Sequence, residues 1–366
     1  MSKKLQKELA AKIIQARNDY YNNNESKISD EVFDSWVDEL TVLNPSHSVL
    51  QEVGSPVAVS EWVKTTHVVP MLSLNKVNTE EELVSWAKEC DADIFEKHGF
   101  LICEKLDGIS VSLTWENGKL ILAASRGDGS IGEAITTNVI KMKGIPKEVK
   151  GFTGIVRGEI VLLKPDFDKH FADYSNQRNA ASGIAKRFDG DGVQHLTILT
   201  YTVSAGKEFK TEEEQFKWLK SVGFQTPNFN HCRNLPALKK IYDEYESHLR
   251  AKLPYMIDGL VVRLNNIDKQ QSLGEKSHRP QGQRAWKFSN QKALSILIDV
   301  VWQTGNSGRI SPVAIIEPVV VGDVTIEHAS LHNNKIVQSL NLFKGCRVLV
   351  SRRNDVIPYI EENLDK

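Results

Sequence analysis

The stretch Cys103-Glu104-Lys105-Leu106-Asp107-Gly108 sets a lysine between an apolar run and a tight Asp-Gly break. Beyond it Ile109, Val111, Leu113 and Trp115 alternate with Ser110, Ser112 and Thr114, the period-two pattern of a half-buried strand. Asn117-Gly118 then supplies a two-residue hairpin turn needing positive φ at both positions, and Leu120 and Leu122 begin the return strand. This reading puts Lys105 at a sheet edge near a turn, its amine aimed by rigid backbone. An ordinary lysine is protonated at neutral pH and cannot attack phosphorus, so a nucleophilic role requires desolvation or a neighbouring cation. On its own K-x-D-G is a short pattern that chance also produces.

Its company is more specific. Arg126-Gly127-Asp128-Gly129, Arg157-Gly158-Glu159, Asn176-Gln177-Arg178-Asn179-Ala180-Ala181-Ser182-Gly183, Asp258-Gly259-Leu260-Val261-Val262-Arg263 and Trp286-Lys287-Phe288 follow in order. With them the chain resembles the bacterial NAD-dependent DNA ligases, covalent nucleotidyltransferases with a K-x-D-G nucleophile, from about Tyr20 to Tyr359. The resemblance implies a multi-domain α+β chain. Residues 1–66 would be a helical module recognising the nicotinamide mononucleotide (NMN) half of NAD. Residues 67–292 would be an adenylation domain of ATP-grasp-like antiparallel sheets with helices, and 293–366 an OB-fold barrel.

Composition sets the outer bounds. A chain of 366 residues holds two or three domains, and a formal net charge of -1 gives no global positive field to draw in nucleic acid. DNA affinity would come from local clusters such as Lys186-Arg187 and the run from Lys344 to Arg353. The four cysteines, Cys90, Cys103, Cys232 and Cys346, form no C-x-x-C pair, so reduced thiols and no zinc are expected. Full-length ligases of the family add a four-cysteine zinc module, helix-hairpin-helix repeats and a further C-terminal domain; this chain is expected to be a short or truncated form. No apolar run approaches a membrane span and the basic start lacks a following apolar region, so a cytoplasmic monomer is expected.

Along the chain, Leu5, Leu9, Ile13 and Ile14 recur at helical spacing. Ser29 reads as an N-cap for a second helix burying Phe33, Trp36, Val37 and Leu40 until Asn44-Pro45. Thr79 with Glu82 and Thr211 with Glu214 are capping-box pairs, and Asn234-Leu235-Pro236 starts a further helix with Leu238, Ile241, Tyr242, Tyr245 and Leu249 inward. From about Ser295, runs at 296–302, 313–316, 319–321, 324–326 and 346–351 read as five short strands of a barrel.

The resemblance also assigns roles. Tyr20, Asp30 and Asp34 would hold the NMN half, although Tyr21 and Phe33 replace the family's usual His and Tyr. Ser73 and Leu74, in Pro70-Met71-Leu72-Ser73-Leu74, would contact adenosine. Arg126, Arg178, Arg263 and Lys287 would clamp phosphate and ribose, Arg263 standing where a lysine is usual. Glu159 would hold ribose or Mg2+, and Asp107 would act near the metal or orient the lysine. The family's Glu two residues before the nucleophile, which meets adenine, is here Cys103. Glu104 is adjacent, on the other face of a regular strand, and a bulge would restore it. Lys186, Arg187, Arg347, Arg352 and Arg353 would grip the backbone of nicked duplex DNA. Alternatives are a nucleotidyltransferase acting on RNA ends or using ATP, and a non-catalytic nucleic-acid-binding relative.

Overall fold

The computed structural model describes residues 2–22, 30–45, 47–51, 62–90, 99–288, 292–304, 310–321, 324–331, 333–353 and 357–365. By its internal contacts the chain divides into two compact units, residues 1–27 with 36–288 and residues 28–35 with 289–366. Among the described residues no helix is long and apolar enough to cross a membrane.

The chain begins with α1 (Ser2–Asn22), α2 (Asp30–Leu43) and α3 (Ser48–Gln51). Leu9, Ala10 and Ile13 of α1 and Val37 and Leu40 of α2 are buried, and Gln6 Nε2 donates to the Leu43 carbonyl at 3.3 Å. Leu5 and Ile14 of the expected stripe lie exposed; adjacent positions such as 13 and 14 point about 100° apart, and only one faces the core. Ser29 lies outside the described residues.

Next come β1 (Lys64–Thr66), β2 (Asn75–Val77), α4 (Glu80–Cys90), β3 (Phe100–Leu106), β4 (Ile109–Glu116), β5 (Lys119–Ser125), β6 (Ile131–Glu133) and α5 (Thr136–Val139). They are followed by β7 (Gly154–Leu162), α6 (Lys164–His170), α7 (Gln177–Ala185), β8 (Leu196–Ala205), α8 (Glu212–Ser221), β9 (Phe229–Cys232) and α9 (Leu235–Glu244). The larger unit closes with β10 (Ile257–Leu264), α10 (Ile267–Leu273), β11 (Glu275–Lys276), β12 (Arg279–Pro280) and β13 (Gln283–Lys287). The caps form as the residue types dictate: the backbone N–H groups of Glu82, Glu214 and Ala237 donate to the side chains of Thr79, Thr211 and Asn234. Leu249, expected inward, is exposed; a π-helical turn at Tyr245–Leu249 rotates the face after α9.

Two sheets organise this unit, a five-stranded one in the order β2-β13-β10-β3-β9 and a four-stranded one in the order β5-β4-β7-β8. The hairpin between β4 and β5 turns on Asn117 and Gly118, with φ of 49° and 82°, as the Asn-Gly pair requires. Lys105 is not at a sheet edge, however. Strand β3 is interior, paired with β10 and β9, and the chain leaves it at Asp107-Gly108 to enter the other sheet. The Asp-Gly break is thus a crossing between sheets, a distinction that local pattern does not carry.

The four-stranded sheet buries Val111, Leu113, Trp115, Val156, Ile160 and Ile198 against α5 and α7 in one core. The five-stranded sheet buries Phe100, Ile102, Leu260, Val262 and Trp286 against α4 and α9 in a second. Each sheet therefore commits one face to a helix-covered core; the other face of the five-stranded sheet buries Leu101, Cys103 and Val261 with Phe216 and also carries Lys105.

In the smaller unit β14 (Lys292–Thr304), β15 (Ile310–Val321), β16 (Val324–Ser330), β17 (Arg347–Arg353) and β18 (Ile357–Asn363) close a barrel in the order β14-β15-β16-β18-β17, with α11 (Asn334–Ser339) between β16 and β17. The runs expected as separate strands at 313–316 and 319–321 are one strand whose register shifts between Ile315 and Val319, around Glu317-Pro318. Proline removes a ladder donor and so interrupts pairing without ending the strand. The fifth strand is instead β18, where Pro358 and three acidic or amide positions at Glu361, Glu362 and Asn363 dilute the apolar signal.

A Cβ placed on Gly108 would lie 2.2 Å from the Ile160 carbonyl oxygen, so the crossing needs glycine for close approach. Gly108→Ala is expected to destabilise the larger unit by about 2–4 kcal/mol. Urea unfolding checks this, and an unchanged midpoint would show that the crossing relaxes freely.

Candidate active site

Lys105 lies where the two sheets meet. In the register Lys105 faces Gly259 and Gly259 faces Lys287, so two lysines share one face of the sheet with a glycine between them. Strand β10 carries one extra residue here, because Ile257 pairs with Leu106 and Gly259 with Lys105. The extra residue is Asp258, and the bulge delivers its carboxylate to the nucleophile: Lys105 Nζ donates to Asp258 Oδ2 at 2.7 Å. Burial works against ionising Asp258, but Lys105, Lys287 and Arg178 prevail and hold its carboxyl below the ordinary range. The amine is thus paired with a carboxylate, where the sequence reading looked for desolvation or a neighbouring cation. Asp258 Oδ1 is buried and has no hydrogen-bond partner among the described residues, which is costly unless a ligand supplies one.

Asp107 and Arg178 form a second pair. Arg178, from the first turn of α7, donates through Nη1 to Asp107 Oδ1 at 2.5 Å. Helix α7 is placed by its own N-cap, the Asn176 side chain accepting from the Asn179 N–H at 2.8 Å. Burial pulls the Arg178 guanidinium down to about 10. Asp107 is therefore engaged through Oδ1 by an arginine and positions it.

From the other sheet comes Glu159 on β7, opposite Ser110 on β4. Ser110 Oγ donates to Glu159 Oε2 at 2.9 Å and the Tyr201 hydroxyl approaches the same oxygen at 3.5 Å. Burial pushes the Glu159 carboxyl up to about 7, against the pull of the Ser110 hydrogen bond, Lys105 and Arg126. Arg126 occupies the turn between β5 (Lys119–Ser125) and β6 (Ile131–Glu133). Its Nη2 donates to Ser73 Oγ at 2.7 Å, while Arg157 Nη2 donates to the Val69 carbonyl at 2.5 Å, fastening the 69–74 segment over the cleft residues. Leu74 packs with Leu101, Cys103, Phe216 and Val261, an apolar patch on the same sheet face as Lys105.

Two expected ligands go elsewhere. No bulge interrupts β3 at 103–105, so Glu104 faces away from Lys105 and into the helix-covered core. There it accepts from the Asn228 backbone and side chain and from the hydroxyls of Tyr245 and Tyr255 at 2.7–3.0 Å. Its partners account for it fully, and the adenine role expected of it is corrected. Arg263 is 4% exposed and donates to the Tyr201 carbonyl, Thr202 Oγ1 and Glu212 Oε2 at 2.9–3.3 Å. It lies farther along the same sheet face, over Phe216 and Tyr201, where it braces β8 and α8 and does not extend into the clamp.

The expected nucleic-acid contacts are also largely satisfied within the chain. Lys186 pairs with Glu133 at 2.9 Å, Arg187 with Asp191 at 3.1 Å and Arg347 with Asp365 at 2.6 Å. The side chains of Arg352, Arg353, Tyr20, Asp30 and Asp34 lie outside the described residues, as do Asn306 and Tyr21. Sequence reasoning missed Asp258, Ser110 and Tyr201 as site residues. The signal for Asp258 was present, since Asp258-Gly259 repeats the Asp107-Gly108 dipeptide.

Comparison with known proteins bears directly on this geometry. Residues 59–291 match the family described as the NAD-dependent DNA ligase adenylation domain, and residues 294–366 match the NAD-dependent DNA ligase OB-fold domain. A DNA ligase of Sorangium cellulosum is 43% identical, covering 98% of this chain and 56% of the relative. One from Treponema denticola is 35% identical over 96% of this chain and 56% of its own length, and one from Campylobacter lari 36% over 93% and 54%. The chain thus spans about half the length of these curated relatives.

Two outcomes follow from the buried carboxyls. Glu104→Ala strands three donor residues and is expected to cost about 3 kcal/mol or more in urea unfolding; full stability would return Glu104 to a ligand-binding role. Glu159 has a folded pKa raised above its unfolded value, so its contribution is intact below about pH 4 and is lost as pH rises through about 7. Glu159→Gln is therefore expected to gain stability on wild type across that window, by at most about 3 kcal/mol at pH 8. A difference between the two that stays constant with pH would mean the carboxyl titrates normally.

Proposed function

The chain belongs to the NAD-dependent DNA ligase family, and on that premise we propose that it seals 5′-phosphate/3′-hydroxyl nicks in duplex DNA, using NAD as the adenylate donor. The observation that carries this reading is the Lys105–Asp258 pair set in a row with Lys287 and ringed by Arg126 and Arg178. A nucleophile flanked by fixed cations suits phosphoryl transfer, where positioning and charge stabilisation supply most of the catalysis.

In the first transfer Lys105 gives up its proton and its Nζ lone pair attacks the α-phosphorus of NAD. A P–N bond forms, the bond to NMN breaks, and the lysine carries AMP. Asp258, hydrogen-bonded to Nζ, orients the amine and is the nearest acceptor for the proton. Lys287 and Arg178 neutralise the phosphate, and Asp107 keeps Arg178 in place. AMP then passes to the 5′-phosphate of the nick. Attack by the 3′-hydroxyl closes the strand and releases AMP.

The donor set fits Mg2+. Glu159 uses Oε2 for both its hydroxyl contacts, and Asp258 Oδ1 is a buried carboxylate oxygen lacking a protein partner, so these two residues would hold the ion. When bound it would supply Lewis-acid polarisation of the phosphoryl oxygens. Ser73 and Leu74 would flank the adenosine beside the Cys103 patch. Residues 1–66, with Tyr20, Asp30 and Asp34, would take the NMN half, residues 67–292 the adenylate, and the barrel at 293–366 the DNA.

The test is transfer of labelled AMP to the protein from NAD and, separately, from ATP. Label from NAD alone, abolished in Lys105→Ala and reduced at least about 100-fold in Asp258→Asn, is expected. Label from ATP would reassign the donor, and label from neither would leave a nucleic-acid-binding protein. Nick binding is expected to weaken as salt rises, with a slope counting the few phosphates neutralised; a flat salt response would remove DNA backbone as the ligand.

A further inference from the structure

Away from Lys105, three side chains with metal-ligating atoms converge beside α6. Asp166 and His170 are four residues apart on that helix and so share a face. His195 ends the single 3₁₀ turn Val193–His195 that feeds β8. His195 Nδ1 lies 3.0 Å from Asp166 Oδ1, and the rings of His170 and His195 are 4.4 Å apart between centres. One ligand atom from each of the three falls within 4.8 Å of the others.

We propose that Asp166, His170 and His195 bind a divalent late transition metal of the zinc type, tying α6 to the start of β8. A tetrahedral ion with bonds of about 2.0–2.1 Å would place its ligand atoms about 3.4 Å apart. His170 is exposed, so a small rotamer change closes the remaining gap. The other two ligands are already placed. Phe171 packs edge-on against the His195 ring at 5.6 Å, and Lys143 Nζ lies 3.4 Å from Asp166 Oδ2, so a metal would take Asp166 Oδ1 and His195 Nδ1 in place of their own contact.

Two imidazole nitrogens and one carboxylate oxygen select zinc, nickel or copper over magnesium or calcium, which prefer oxygen throughout. The site is therefore separate in chemistry from the proposed Mg2+ position at Glu159 and Asp258. It is also invisible to cysteine counting, which led to the expectation of no zinc. A solvent molecule would complete the fourth position.

The experiment is zinc titration of the whole chain by calorimetry, repeated with millimolar Mg2+ and with His170→Gln and His195→Gln. A single saturable zinc is expected, unaffected by Mg2+ and weakened at least about tenfold in His170→Gln, which alters an exposed side chain and leaves the fold intact. Cobalt(II) substitution should give a visible spectrum without thiolate charge-transfer bands. No saturable zinc, equal affinity in wild type and His170→Gln, or thiolate bands from the buried cysteines would each overturn the proposal.

Discussion

The 2.7 Å ion pair between Lys105 and Asp258 exists because β10 carries one residue more than the strand it faces. Without that bulge Asp258 would point to the opposite side of the sheet from Lys105, since neighbouring residues alternate. The rest of the larger unit can be read as support for this pair. Gly259 lets β10 and β13 approach closely, since a Cβ there would lie 2.3 Å from the Trp286 carbonyl oxygen, and Gly108 lets the chain pass within contact of the Ile160 carbonyl into the second sheet. That step brings Ser110 and Glu159 to the same cleft.

Charge is distributed in two layers. At the cleft, Asp107, Glu159 and Asp258 face Lys105, Arg126, Arg178 and Lys287, a balance that favours an anionic guest. Away from it, Glu104 on the opposite face of β3 is held by Asn228, Tyr245 and Tyr255, and the buried Arg263–Glu212 pair ties β10 to β8 and α8. Buried charges of this kind contribute orientation more than net stability, because desolvation offsets most of their attraction. Arg263 stands where the resembled family usually has lysine, and its fork reaches the Tyr201 carbonyl, Thr202 and Glu212 together, which a single ammonium does less well.

The surface basic residues behave differently from their sequence appearance. Lys186, Arg187 and Arg347 each have an acidic partner within the chain, so a run of positive letters does not equal a positive patch. The exposed pairs of Arg187 and Arg347 are worth little and exchange readily, so a phosphate can compete for those cations, whereas Glu133 holding Lys186 is buried. The Asp166, His170 and His195 cluster is the reverse case, three ordinary letters that acquire a joint chemistry only when α6 and the turn before β8 are packed together.

The sequence by itself determined the strands and helices with clear periodicity, the Asn117-Gly118 hairpin and the three side-chain caps, and its family resemblance named Lys105, Asp107, Arg126, Glu159, Arg178 and Lys287 as candidate site positions. These are local: a turn needing positive φ, an N–H needing a cap, or a motif read within one strand. Only the tertiary structure decided that β3 is interior, that 313–316 and 319–321 are one strand, that Glu104 turns inward and that Asp258 meets the lysine. Which face a side chain takes depends on pairing register and bulges, and those are set between strands more than a hundred residues apart, where sequence spacing carries no record of contact.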